Sequence, residues 1–202
     1  MSSQRDKSEP RVIVITGTRK GLGRELAQKY LQQGDVVVGC SRRSSSLEHQ
    51  NYRHFEVDVS VEEEVVKMVR AVRKEFRTVD VLINNAGIAA MNHFVTTPFS
   101  NAKRVFDTNF FGSFLFSREI AKIMIRRKKG CIINFSTVAV PLNLEGEAVY
   151  AASKAAVENF TRIAATELGG FGIRVNAVGP TPIPTDLIRN VPQDKIEKIL
   201  ER

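Results

Sequence analysis

Short apolar runs alternate with helical stretches along this chain, and that alternation constrains its fold more than any other feature. RVIVIT (11–16), DVVVGC (35–40), YRHFEVDV (52–59), VDVLINNAG (79–87), CIINFS (131–136) and IRVNAV (173–178) read as strands, the fourth running into a loop. Residues 21–32 read as a helix ended by Gly34. Residues 61–76 place Val65, Val66, Val69 and Val72 at helical spacing, and further helices are expected at about 100–128, 148–168 and 193–201. Strands that alternate with helices join by right-handed crossovers into a parallel sheet covered on both faces. The fold class expected is therefore α/β in three layers. In such sheets ligands bind beyond the carboxyl ends of the strands, so candidate site residues are sought just after each strand.

The length of 202 residues suggests one domain, read here as residues 11–202 after a loose polar tail, 1–10. No apolar run approaches the ~20 residues of a membrane helix, and Val12 to Ile15 is too short a run for a signal peptide. Two cysteines, Cys40 and Cys131, lie in apolar runs, which suits a reducing cytoplasm better than a secreted framework. The three histidines are scattered and no Cys/His spacing suggests a metal site. A net charge of +8 fits a basic enzyme surface or an anionic ligand. The basic cluster RRKKG (126–130) falls at a helix C-terminus, where cations suit the helix dipole, and no aromatic residues interleave for stacking. A nucleic-acid partner is not expected.

ITGTRKGLGREL follows the first strand and opens a helix. Glycines at such a turn let the backbone bend tightly and approach a pyrophosphate at the positive end of the helix. The candidates for holding it are Gly17, Arg19, Lys20, Gly21, Leu22 and Gly23. After the second strand stand Ser41, Arg42 and Arg43. An acid there holds a ribose 2′-hydroxyl; cations attract a 2′-phosphate instead. With Lys20 in reach, the expectation is NADPH (or NADP) over NADH, unless these are merely surface cations.

Tyr150 and Lys154, in YAASK, are four residues apart and stack on one helix face. A nearby ammonium favours phenolate and brings tyrosine down from a pKa of about 10 towards the range of a general acid. Ala151 and Ala152 leave space for a flat cofactor and a substrate. By itself the spacing also fits a surface tyrosine beside a solvated lysine.

Taken together the motifs resemble the short-chain dehydrogenase/reductase family, in the style of its NADPH-dependent 3-oxoacyl-carrier-protein reductases. The resemblance rests on TGTRKGLG (16–23), VDV (57–59), NNAG (84–87), the asparagine of DTNFFG (107–112), INFSTV (133–138), YAASK (150–154) and NAVGPTPIPT (176–185), in family order over about residues 11–185. It implies a Rossmann-like doubly wound sheet of order 3-2-1-4-5-6. It implies that Tyr150 protonates a carbonyl oxygen, that Lys154 lowers its pKa and holds the nicotinamide ribose, and that Asn109 holds a relay water. Asp58 and Val59 would contact the adenine end; Asn85, Ala86 and Gly87 would line the ribose and nicotinamide; Pro180, Ile183 and Thr185 would hold the carboxamide. With that strand order two strands separate Cys40 from Cys131, about 14 Å at ~4.8 Å per step, so both should be free thiols.

The sequence departs from the family in three places. The substrate-polarising serine is replaced by Thr137, with Ser136 beside it as second choice. The family's Pro-Gly pair is here Pro180-Thr181, and threonine takes positive φ only at a cost. No seventh strand is visible after Thr185, so the domain is expected to be incomplete at its C-terminus, with the sixth strand as an edge. The function expected is NADPH-dependent reduction of a carbonyl, with a 3-oxoacyl thioester or a similar small ketone as substrate. Alternatives are an alcohol dehydrogenase working in the oxidising direction and a non-catalytic cofactor-binding or regulatory protein. The expected partners are a small carbonyl or alcohol substrate and a second copy of the chain, in a homodimer or homotetramer.

Overall fold

A computed structural model of the chain describes residues 10–181 and residue 183. Six strands form one parallel sheet: β1 (Val12–Thr16), β2 (Val36–Ser41), β3 (Tyr52–Glu56), β4 (Val81–Asn84), β5 (Gly130–Phe135) and β6 (Ile173–Val178), in the order β3-β2-β1-β4-β5-β6. The helices are α1 (Gly21–Gln32), α2 (Glu62–Phe76), α3 (Phe99–Phe106), α4 (Gly112–Arg127), the short α5 (Ala139–Leu142) and α6 (Ala148–Gly169). The expected order and α/β class are those observed.

Alternation along the strands builds the layers. Every residue of β1 is buried. Val12 and Val14 point into a core with Val65, Val69 and Val72 of α2 and Phe116, Ile120 and Met124 of α4, with Ala164 of α6 in the same cluster. Ile13 and Ile15 point the other way, onto Ala27 and Leu31 of α1. A sheet covered on both faces keeps its strands apolar throughout, which is why they read as continuous runs.

Two differences from the expected elements bear on the site, beside small shifts at other strand ends. β3 stops at Glu56, because Asp58 turns the chain: its Oδ1 accepts from Ser60 N (3.0 Å) and Ser60 Oγ (2.6 Å). The long helix expected over 100–128 is α3 and α4 joined by a π-helical turn, Asp107–Phe111. Cys40 on β2 and Cys131 on β5 are buried free thiols, with β1 and β4 between them. No helix among the described residues is long and apolar enough to cross a membrane. The expected helix at 193–201, Thr185 and most of the polar tail lie outside the described residues.

Candidate active site

Apart from Asn109, which lies between α3 and α4, the expected site segments that the structure describes follow the carboxyl ends of strands or open the helices after them. The glycine turn is shaped by its neighbours. Gly17 N–H and Thr18 N–H both donate to Cys40 O, at 2.8 and 3.1 Å, tying the turn to β2. Gly17 has φ +78°, and a Cβ there would lie 2.9 Å from Asn85 Nδ2 and 3.0 Å from Ala86 Cα. Only glycine meets both conditions without strain. A Cβ on Gly23 would overlap Gly17 O, so this glycine serves the packing of α1 on the turn. Gly21 and Leu22 open α1, with Lys20 as the residue before its first turn.

The first turn of α1 carries no acidic residue, whereas α2 carries Glu62, Glu63 and Glu64 there. Acids at that place offset the positive end of a helix. In α1 the positive end is not offset, and cations gather around it. A concavity of about 520 Å³ is lined by Arg19, Lys20, Arg24, Arg43 and Ser44 to Ser46. Arg42 is exposed but does not line it, so of the two expected arginines Arg43 is the one at this concavity. Arg24, missed in the sequence, stands in the first turn of α1 and lines the same concavity; its place directly after the glycine turn was available to find it.

Asn85 and Ala86 bind β4 to β1: both backbone N–H groups donate to Thr16 Oγ1, at 3.0 and 2.9 Å, and Asn85 Nδ2 donates to Thr16 O at 2.9 Å. Val59 is buried against Gly112, where a Cβ would come within 2.7 Å of Val59 Cγ2. Asp58 is half-buried, and its carboxylate is engaged by Ser60. Ser41 Oγ is engaged as well, donating to Arg43 O at 2.6 Å.

Around Tyr150 four separate segments converge. Gly87 packs between Asn109 and Lys154; a Cβ on it would stand 3.3 Å from Asn109 Oδ1 and 3.5 Å from Lys154 Nζ. Asn109 is fully buried in the π-helical turn. Its Nδ2 donates to Ile88 O (2.9 Å) and Ser153 Oγ (3.0 Å), and its Oδ1 accepts from Ile88 N (2.8 Å). Both donors thus go to protein groups, and a water can be held only by the second lone pair of Oδ1. Ser153, also unread in the sequence, fixes this asparagine to α6. A π-turn inserted in a helix is commonly found at functional sites.

The two candidate hydroxyls are separated clearly. Ser136 is buried and bonded elsewhere: its Oγ donates to Glu158 of α6 and its N–H to Val178 O. Thr137 stands close enough to the Tyr150 hydroxyl to favour its charged form. Thr137 Oγ1 accepts from Ala139 N at 3.2 Å. The segment is braced by the residues after β6, where Val138 N donates to Pro180 O at 3.4 Å. Thr181 does not adopt positive φ; outside glycine, only Arg77, Lys128 and Asn143 do so among the described residues. Ile183 is exposed.

The electrostatics correct one expectation. In the protein alone Tyr150 is pushed up rather than down, burial being the largest cause; Thr137 pulls it back and the charge of Glu147 raises it further. Lys154 is itself buried, which lowers its pKa from 10.5 to about 8. Its Nζ donates to Phe135 O at 2.7 Å. Desolvation penalises both charged forms, and it outweighs the help an ammonium would give a phenolate. The arrangement supplies a buried proton donor, a second hydroxyl on the same oxygen, and an amine whose charge can change near neutral pH.

A family model described as short chain dehydrogenase matches residues 11–196. Zerumbone synthase of Zingiber zerumbet is 33% identical over 191 residues, covering 89% of this chain and 71% of that protein. The 3-oxoacyl-[acyl-carrier-protein] reductase FabG of Vibrio cholerae is 30% identical over 187 residues, covering 90% and 77%. Among solved structures, ElxO with NADP bound superposes with a TM-score of 0.85 at 28% identity, covering 94% of this chain and 79% of that one.

Proposed function

As the chain belongs to the short-chain dehydrogenase family, and so to the oxidoreductases that interconvert carbonyl and alcohol groups, we propose that it reduces a ketone with NADPH. The convergence of Thr137, Tyr150, Lys154, Asn109 and Gly87 from four segments of the chain carries the reading. A 3-oxoacyl thioester is one candidate substrate, supported by the reductase relative. The same groups run the reaction in reverse for an alcohol.

The residues fit the cofactor. Gly17 makes the tight turn that lies against Asn85 and Ala86, the positive end of α1 is not offset by acids, and Arg19, Lys20, Arg24 and Arg43 line one concavity. These groups would hold the phosphates, with Asp58 and Val59 at the adenine end and Asn85, Ala86, Pro180 and Ile183 towards the nicotinamide; Thr185 belongs to the same proposal. Bound there, the nicotinamide supplies the hydride.

Tyr150 gives its hydroxyl proton to the carbonyl oxygen as that oxygen becomes an alkoxide. A burial-raised pKa keeps the phenol protonated until then. Thr137 donates a hydrogen bond to the same oxygen and fixes the carbonyl against Tyr150. Lys154, one helical turn on, holds the nicotinamide ribose hydroxyls and returns a proton to the tyrosinate. Asn109 keeps the loop after β4 against α6 and holds the water through which that proton is replaced. We also propose a homodimer or homotetramer built through the α4 and α6 side, where Phe111 and Ile163 are 47% and 51% exposed. The two free thiols fit a reducing cytoplasm.

Calorimetric titration with NADPH and then NADH, followed by a ketone panel read by loss of reduced nicotinamide, tests the reading. Tight NADPH binding with turnover is expected, and Tyr150→Phe should keep the binding while losing turnover by at least about a thousandfold. A protein that binds neither cofactor refutes the proposal.

A further inference from the structure

The side chains of β3 form a hydrogen-bonded string beneath the basic concavity. Tyr52 OH lies 2.8 Å from Thr18 Oγ1, in the glycine turn, and 2.8 Å from His54 Nδ1. His54 Nε2 lies 3.1 Å from Arg43 O and 3.1 Å from Ser41 Oγ. The tautomer follows from the partners: a carbonyl only accepts, so Nε2 carries the proton and Nδ1 accepts from Tyr52. Arg24 Nη1 closes the far end of the segment on Ser46 Oγ at 2.8 Å.

Glycine makes room for the string. A Cβ on Gly39, in the middle of β2, would overlap both Thr18 Oγ1 and Tyr52 OH. A glycine inside a strand is unfavourable by itself, and here close approach of these two hydroxyls requires it.

We infer that Tyr52 and His54 are positioning residues that set the preference for a 2′-phosphate, by fastening the segment after β2 to β3 and to the glycine turn. The inference rests on the NADPH reading above. Arg43 faces Arg19, Lys20 and Arg24 across one concavity, and like charges gathered there repel one another. A segment held only by its own turns would swing its arginine out to water. His54 prevents this by holding the Arg43 carbonyl, and Tyr52 holds His54 to the same turn that carries Arg19 and Lys20. A ligand without the 2′-phosphate has no use for the gathered cations, so the string matters to NADPH and little to NADH.

The test is calorimetric binding of NADPH and NADH to wild type, His54→Ala, His54→Gln and Tyr52→Phe, with KM and kcat for NADPH alongside. His54→Ala should weaken NADPH binding at least tenfold and NADH less than twofold, with the kinetic loss in KM for NADPH rather than kcat. His54→Gln, whose amide can still donate to Arg43 O, should recover most of it. Tyr52→Phe removes one oxygen and should move the ratio the same way; it carries the test if His54→Ala fails to fold by circular dichroism. Equal loss for both cofactors, or none, in a wild type that prefers NADPH overturns the inference alone. A wild type that binds the two cofactors equally overturns the NADPH reading and this inference with it.

Discussion

Lys154 keeps a titrating amine in a buried place, and the protein's stability depends on pH because of it. Its folded pKa is about 8 against an ordinary 10.5. Between those values the unfolded chain binds more protons, so this group makes stability rise with pH across that window. Lys154→Met should therefore raise stability without cofactor at pH 7 by up to about 3 kcal/mol, and the gain should fade as pH approaches 10.5. Cys40 works the other way, being pushed from 9.0 up to about 12 by burial, and stability from it is lost above 9. The cysteine is present in both proteins, so thermal melts of the pair at several pH values isolate the lysine. A constant gap across the series would refute the assignment. The spacing of Tyr150 and Lys154 announced the pair in the sequence. The direction of their shifts was not legible there, because burial is made by β5, the loop after β4 and α6 together. Tyr52 and His54 were equally visible as alternate strand positions, but alternation in a strand says only that two side chains share a face.

Strands β4 and β5 are joined by a buried string that crosses the sheet from helix to helix. Asn84 Nδ2 donates to Ser117 Oγ of α4 (2.9 Å) and to Asn134 Oδ1 of β5 (2.8 Å), and Asn134 Nδ2 donates to Thr161 Oγ1 of α6 (2.8 Å). Asn134→Ala removes a buried acceptor from Asn84 Nδ2 and a buried donor from Thr161 Oγ1, and should cost about 1–3 kcal/mol, read from urea midpoints. Removing the exposed Arg53–Glu75 pair should cost under about 1 kcal/mol. The strands themselves were legible, since burial on both faces leaves β-branched runs that a short window detects. The π-turn at Asp107–Phe111 was not, because one added residue in a helix barely disturbs apolar spacing over five positions. Nor was the end of β3, which is set by the side chain of Asp58 closing on Ser60 rather than by loss of apolar residues.

At the scale of the molecule, the charge of +8 is drawn into the cofactor reading by its distribution. Four cations line one concavity, so added salt should weaken NADPH more than NADH. Titrations at low and high sodium chloride check this, and identical salt slopes would refute it. Light scattering should return at least a dimer, and Ile163→Arg on the exposed side of α6 should shift it towards monomer. The strand order gathers these distant pieces, and it does so at long range along the chain. The glycine turn takes its shape from Asn85 and Ala86, whose contacts with Thr16 span 69 and 70 residues. Closing a loop of that length costs roughly 4 kcal/mol in chain entropy. The nucleotide turn is therefore not a portable module: a peptide containing β1, α1 and β2 carries the glycines and the arginines but lacks the residues that bend them. During synthesis the ribosome must release β4 before the cradle can close.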